Sequence, residues 1–137
     1  MHKVRIGNTG RIMEIKRTIK DYFKALEIGD YDKIKKLFTP DAVVNSPLYG
    51  RMKAKDFYME LFRDTSKSKI TLIDLLRSEN HLIMAGYIRY EWILKDGTPT
   101  TFECVDIFQF TDEGKIKTLS IIYDTAKIRT VFEGMKK

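Results

Sequence analysis

The chain changes its hydrophobic period once, near Lys69. Before that point apolar residues recur every three or four positions; after it they alternate. From Arg11 onward, Ile12, Ile15, Ile19, Tyr22, Phe23 and Leu26 form one stripe, and Lys16, Arg17, Lys20, Asp21 and Lys24 take the other side. That pattern predicts an amphipathic helix. Gly29 stops it, and Asp30 can cap a second helix carrying Ile34, Leu37 and Phe38, which Pro40 ends. Residues 41–49, β-branched at Val43 and Val44 and followed by Gly50, read as a strand or an extended turn. Ala54, Phe57, Tyr58, Leu61 and Phe62 mark a third helix. Residues 1–10 show no period and are expected to be a loose arm or an added edge strand, ahead of a single domain over residues 11–137.

Beyond Lys69 the expectation is a run of strands. Ile70, Leu72 and Leu76 open the first, residues 81–94 form a long second one with Tyr87, Tyr90 and Trp92, and Asp96-Gly97 is a hairpin signal. Strands over residues 100–110 and 115–123 follow, joined by the turn Thr111-Asp112-Glu113-Gly114. Residues 125–134 predict a short terminal helix. Helices segregated ahead of an antiparallel meander define an α+β domain, with helices packed on one face of a curved sheet.

Composition narrows the function classes. With 137 residues, the chain is long enough to bury roughly two-thirds of its unfolded surface without staples. Cys104 is its one cysteine, which excludes an intramolecular disulfide and a multi-cysteine metal site. It also points to a reducing, cytoplasmic setting. No apolar run approaches the roughly 18 residues of a membrane span, and Met1-His2-Lys3-Val4-Arg5 lacks the apolar segment of a signal peptide. The net charge of +6 rests on 17 Lys and 8 Arg scattered along the chain rather than gathered in a stripe, which argues against a nucleic-acid partner. Nothing in the motifs implies a metal or an organic cofactor.

Three polar residues fall at or beside positions that the periodicity marks as buried. Tyr22 shares its helix face with Ile15, Ile19 and Leu26. Asp106 sits in the alternating row Phe102, Cys104, Phe108, Phe110, where a carboxylate is costly unless paired, hydrogen-bonded or protonated. Asp124 ends the last strand. Each also has a structural reading: Tyr22 as a core tyrosine, Asp106 as a hydrogen-bonding acid at a bulge, Asp124 as a helix cap. Cys104 reads as a small core hydrophobe, and Trp92 with the tyrosines of its strand as sheet and pocket wall. Strict alternation through Leu119, Ile121 and Tyr123 turns Asp124 outward; a bulge near the strand end would reverse that.

The runs Tyr22-Phe23-Lys24-Ala25-Leu26, Gly29-Asp30-Tyr31-Asp32 and Leu37-Phe38-Thr39-Pro40-Asp41-Ala42 resemble the opening of the nuclear transport factor 2-like superfamily. That superfamily includes ketosteroid isomerase, the SnoaL-like polyketide cyclases and limonene-epoxide hydrolase. The likeness continues through Val44-Asn45-Ser46-Pro47 and resumes at Val105-Asp106-Ile107-Phe108-Gln109-Phe110, Gly114-Lys115-Ile116 and Tyr123-Asp124. It implies a cone of three N-terminal helices closed against a strongly bent antiparallel sheet, a pocket for a small hydrophobic ligand, and a homodimer through the sheet's outer face.

In the isomerase, a first-helix tyrosine and a protonated aspartic acid hold the substrate oxyanion. Tyr22 and Asp106 stand at the matching motif positions. The isomerase base position holds Ser46, and a serine alone does not take a proton from carbon at neutral pH. The hydrolase and cyclase branches carry a last-strand acid like Asp124, but the hydrolase's arginine two residues before its other acid is replaced here by Cys104. The resemblance therefore implies catalytic roles for Tyr22, Asp106 and Asp124, with Ser46, Phe57, Trp92, Phe102, Cys104, Phe108 and Tyr123 around the ligand. An isomerase-, cyclase- or hydrolase-like enzyme, a non-catalytic ligand-binding module and a dimeric interaction protein all remain open, since this fold hosts each of them.

Overall fold

The computed structural model describes residues 8–137. Four helices and six strands follow the order α1 (Asn8–Ile28), α2 (Tyr31–Lys35), β1 (Phe38–Ser46), β2 (Gly50–Lys53), α3 (Ala54–Arg63), β3 (Thr65–Arg77), β4 (Ile83–Leu94), β5 (Pro99–Phe110), β6 (Ile116–Ile122) and α4 (Ile128–Lys136). The strands form one sheet in the order β2-β1-β6-β5-β4-β3. Every neighbouring pair is antiparallel except β1 with β6, which run parallel.

Helix α1 buries Ile15, Ile19, Tyr22, Phe23 and Leu26 and leaves Arg17, Lys20 and Lys24 in solvent. Gly29, at φ +70, ends it in a Schellman turn: the Asp30 N–H donates to the Ala25 carbonyl and the Gly29 N–H to that of Leu26. The Asp30 carboxylate then accepts the Lys33 N–H and starts α2. In α3, Ala54, Phe57, Tyr58 and Leu61 face the sheet at helical spacing. The long strands β4 and β5 alternate cleanly, with Met84, Ile88, Tyr90, Trp92 and Leu94 of one and Cys104, Asp106, Phe108 and Phe110 of the other turned to the helices.

Several boundaries differ from the sequence expectation. Of the arm expected over residues 1–10, residues 1–7 lie outside the described residues, while Asn8–Gly10 already belong to α1. The second helix stops at Lys35, and Pro40 sits inside β1 where the pairing with β6 is irregular between Phe38 and Val43. A proline is tolerated there because no ladder N–H is required of it. The short strand β2 had no periodic signal, and β3 begins at Thr65 rather than near Ile70.

The helices reach the sheet because β4 carries a glycine under α1. A Cβ on Gly86 would lie 2.9 Å from Cε2 of Phe23, so only glycine admits that ring at this depth. Among the described residues no helix is long and apolar enough to cross a membrane.

Candidate functional site

Between the helices and the concave sheet lies a cavity of about 40 Å³. Each element contributes side chains at its own period. Helix α1 gives Tyr22 and Leu26, and α3 gives Phe57 and Leu61, both pairs four apart on one face. Strand β4 gives Tyr90 and Trp92, and β5 gives Phe102, Cys104 and Asp106, each two apart. Ser46 ends β1, Tyr49 lies in the turn that follows, and Ile121 and Tyr123 complete the wall.

Asp106 is the one carboxyl on this lining and is 2% exposed. It stands between Gly86 of β4 and Ile121 of β6 in the sheet register. Burial pushes its pKa up to about 7, opposed by a hydrogen bond that the Cys104 thiol donates to Oδ1 at 3.5 Å. Protonated and ionised forms are therefore both populated near neutrality, which suits a group that gives and takes a proton. The same burial, with the neighbouring Asp106 charge, pushes the Cys104 thiol far up, so the thiolate needed of a nucleophile is scarce.

The hydroxyls of Tyr22 and Tyr58 lie 2.6 Å apart, both fully enclosed. Burial holds the Tyr22 proton on, reinforced by the nearby Tyr58 and Asp106. Tyr58 is off the cavity wall, so when it donates to Tyr22 the Tyr22 O–H is left to donate into the cavity.

The rest of the lining is fixed in place. Ser46 Oγ accepts the N–H groups of Leu48 (3.2 Å) and Tyr49 (3.1 Å), so its oxygen organises the turn that presents Tyr49. Trp92 Nε1 donates to Thr65 Oγ1 at 2.8 Å, and Thr65 in turn donates to the Leu61 carbonyl. The Tyr90 hydroxyl is bonded to Ser68 Oγ at 2.9 Å. The rings of Tyr90, Phe102 and Tyr123 stack in series, at 5.3 and 4.4 Å.

Of the residues singled out in the sequence, Tyr22, Ser46, Phe57, Trp92, Phe102, Cys104, Asp106 and Tyr123 border the cavity. Three expectations are corrected. Phe108 is not part of the wall; it packs edge-on behind Tyr22, centroids 5.1 Å apart, because two residues further along β5 the cone is already filled by Tyr22 and Phe23. Asp124 lies outside the cavity and is exposed, its carboxylate accepting the Ala126 N–H. The alternation Leu119, Ile121, Tyr123 runs on without a bulge there; the irregularity of this pair is back at Gln109–Phe110. Tyr87 likewise faces the other side of the sheet, bonded to Glu103. Sequence reasoning missed Tyr49, which follows a turn and has no period, and Tyr58 as the partner of Tyr22. Among the described residues no group of three His, Cys, Asp or Glu side chains is close enough to hold a metal ion.

A bent sheet closed by helices over an aromatic cavity with one buried acid defines a pocket-bearing α+β cone of the nuclear transport factor 2-like class. Residues 19–119 match the SnoaL-like domain, and the chain belongs to that family. Among solved structures it resembles the epoxide hydrolase/cyclase-like enzyme SalBIII of pyran ring formation in the polyether salinomycin, at 23% identity and a TM-score of 0.73, covering 82% of this chain and 92% of that one. It also resembles a polyketide cyclase candidate from Xanthomonas campestris pv. campestris, at 11% identity and a TM-score of 0.76, covering 89% and 98%. TerC, co-crystallised with polyporic acid, gives 16%, 0.73, and 88% and 98%. At these identities the likenesses establish the fold alone.

Proposed function

We propose that the protein is an acid–base enzyme of the isomerase, cyclase or hydrolase kind, acting on a small, mostly apolar molecule that bears a carbonyl-type oxygen. The observation that carries this reading is Asp106, a single carboxyl enclosed among aromatic rings and held near pKa 7. In its ionised form it takes a proton from carbon next to the carbonyl and later returns it, while the Tyr22 O–H donates to the oxygen on which charge develops. Of the catalytic set expected from the sequence, Tyr22 and Asp106 remain and Asp124 is dropped, because it stands outside the cavity.

The placement of Asp124 also favours a second reading, a module that binds such a molecule without turning it over. One experiment separates the two. A panel of small cyclic and aryl ketones is incubated with the protein in D₂O near neutral pD, and deuterium entering the carbon beside the carbonyl is followed by NMR. The enzyme reading expects exchange above buffer that falls on the order of a hundredfold in Asp106→Asn and persists in Asp124→Asn. Saturable binding with no exchange leaves the binding module standing and removes the enzyme.

The reading includes a homodimer through the outer sheet face, where Ala85, Tyr87, Val105, Ile107 and Ile122 are neighbours by register. Ile122 is 55% exposed there, and contiguous apolar patches of this kind mark interfaces. The buried lone cysteine fits a cytoplasmic location.

A further inference from the structure

The cavity is too small for the ligand its chemistry suits. Its 40 Å³ accommodates about three waters, while a cavity of about 150 Å³ is what a benzene ring occupies. A wall has to move before an organic molecule enters. Strands β4 and β5 pair without interruption from Ile83 to Ile93, and α1 and α3 are built into the core, so these walls do not move cheaply.

The remaining candidate is α4, which lies beyond the residues that match the family and pairs with no strand. It covers two cavity walls with one side chain. The Phe132 ring packs 5.1 Å from that of Tyr49 and 6.2 Å from that of Trp92. At the helix's far end, Lys136 Nζ lies 2.6 Å from Asp64 Oδ2 and 3.5 Å from Glu60 Oε1, with the ammonium over the rings of Tyr49 and Phe132. The same Asp64 oxygen accepts the Tyr49 hydroxyl at 2.7 Å. One lysine thus fastens the helix, through a buried carboxylate, to a residue that lines the cavity. At the near end the connection from β6 is the irregular stretch 123–127, and Arg129 donates to the Pro47 carbonyl at 2.8 Å.

We propose that α4 is a hinged door over the ligand chamber, latched by Lys136 on Asp64 and Glu60 and plugged by Phe132, and that a small apolar ligand enters and leaves when it swings out on residues 123–127. This rests on the cavity being the ligand site. Opening takes the Phe132 ring off Tyr49 and Trp92 and the Lys136 ammonium off Tyr49, leaving the Tyr49 hydroxyl on Asp64 and widening the chamber from its α4 side. Ile128 and the Arg129–Pro47 bond stay at the hinge end, while an aromatic plug and a charged latch hold the swinging end, so single substitutions there shift its equilibrium without dismantling the cone.

Cys104 reports the opening with no ligand present, because it is the single cysteine, lines the chamber and is buried. The experiment measures the rate at which methyl methanethiosulfonate labels Cys104 in the full-length protein, by intact-mass spectrometry, as a function of urea. Lys136→Met keeps most of the stem and removes the latch; it is expected to raise the labelling rate about tenfold or more, since it leaves the buried Asp64 carboxylate without its counter-charge in the closed state. Phe132→Ala is expected to do the same. In both, the urea dependence of labelling at low denaturant should be far shallower than that of global unfolding, the mark of a local opening. Ile116→Val, in the core away from α4, lowers global stability and should leave low-urea labelling unchanged. Rates within twofold of the parent in both door variants, or rates that follow global unfolding with its full urea dependence, overturn the door. Because no substrate is used, a gated Cys104 with no ketone exchange would reject the enzyme and keep the door.

Discussion

The hydroxyls of Tyr22 and Tyr58 each have the other as their hydrogen-bond partner, 2.6 Å apart, one on the first helix and one on the third. The pair ties the cavity's hydroxyl donor on α1 to α3. Tyr58→Phe removes the outer member and keeps the ring. Because both groups are buried, it is expected to cost about 1 kcal/mol of stability. It should also lower the ketone exchange rate about tenfold with little change in binding, since Tyr22 then lacks the bond that orients its proton. Urea unfolding and the exchange assay together check this; unchanged values in both contradict it.

Gly86 sits opposite Asp106 and under Phe23. Gly86→Ala places a methyl 2.9 Å from Cε2 and 3.0 Å from Cζ of that ring, which packs edge-on against both Tyr22 and Phe108 and has no room to swing. The expected cost is about 1–3 kcal/mol, read from the urea midpoint at constant slope. A parent-like midpoint would mean that α1 lifts off the sheet freely.

The period change near Lys69 was enough to order the helices before the strands, and the ordered motifs to close them into a cone. The rows Tyr22–Leu26 and Phe102–Cys104–Asp106 were legible because period alone decides which side of a helix or strand a residue takes. How deep along the cone each inward residue falls was not. Phe108 has the same phase as Asp106 but meets Tyr22 instead of the cavity, a matter of where α1 crosses the sheet. Tyr49, Tyr58 and the Lys136–Asp64 latch depend on long-range pairing between segments with no shared pattern, so nothing local announced them.

The outer sheet face should hold two copies together. Ile122→Lys puts a charge into the row that continues through Val105 and Tyr87, and a charge left unpaired in an interface is strongly unfavourable. The parent is expected to sediment as a dimer at about tens of micromolar, the range in which an interface of ordinary size stays closed, and the variant as a monomer. A monomeric parent rejects the interface outright.

Asp106 should make stability fall as pH rises. An unfolded chain titrates this carboxyl near 3.8, whereas burial in the native cavity delays ionisation to about 7. Below both values the group is protonated in either state and imposes no cost. Between them the native state binds the extra proton, so the free energy of unfolding declines with pH, and above the native value the loss is complete. Its full size is on the order of 4 kcal/mol at the usual conversion of pKa to free energy. Asp106→Asn cannot ionise, and its side-chain oxygen can still accept the Cys104 thiol. The variant is therefore expected to gain on the parent steadily from pH 4 to pH 7 and to hold that gain at pH 8. Every other carboxyl is common to the two proteins, so the difference between their urea midpoints at each pH isolates this one residue. A difference that stays flat across the range would place the Asp106 titration outside that window and remove the poised acid on which the proposed chemistry depends.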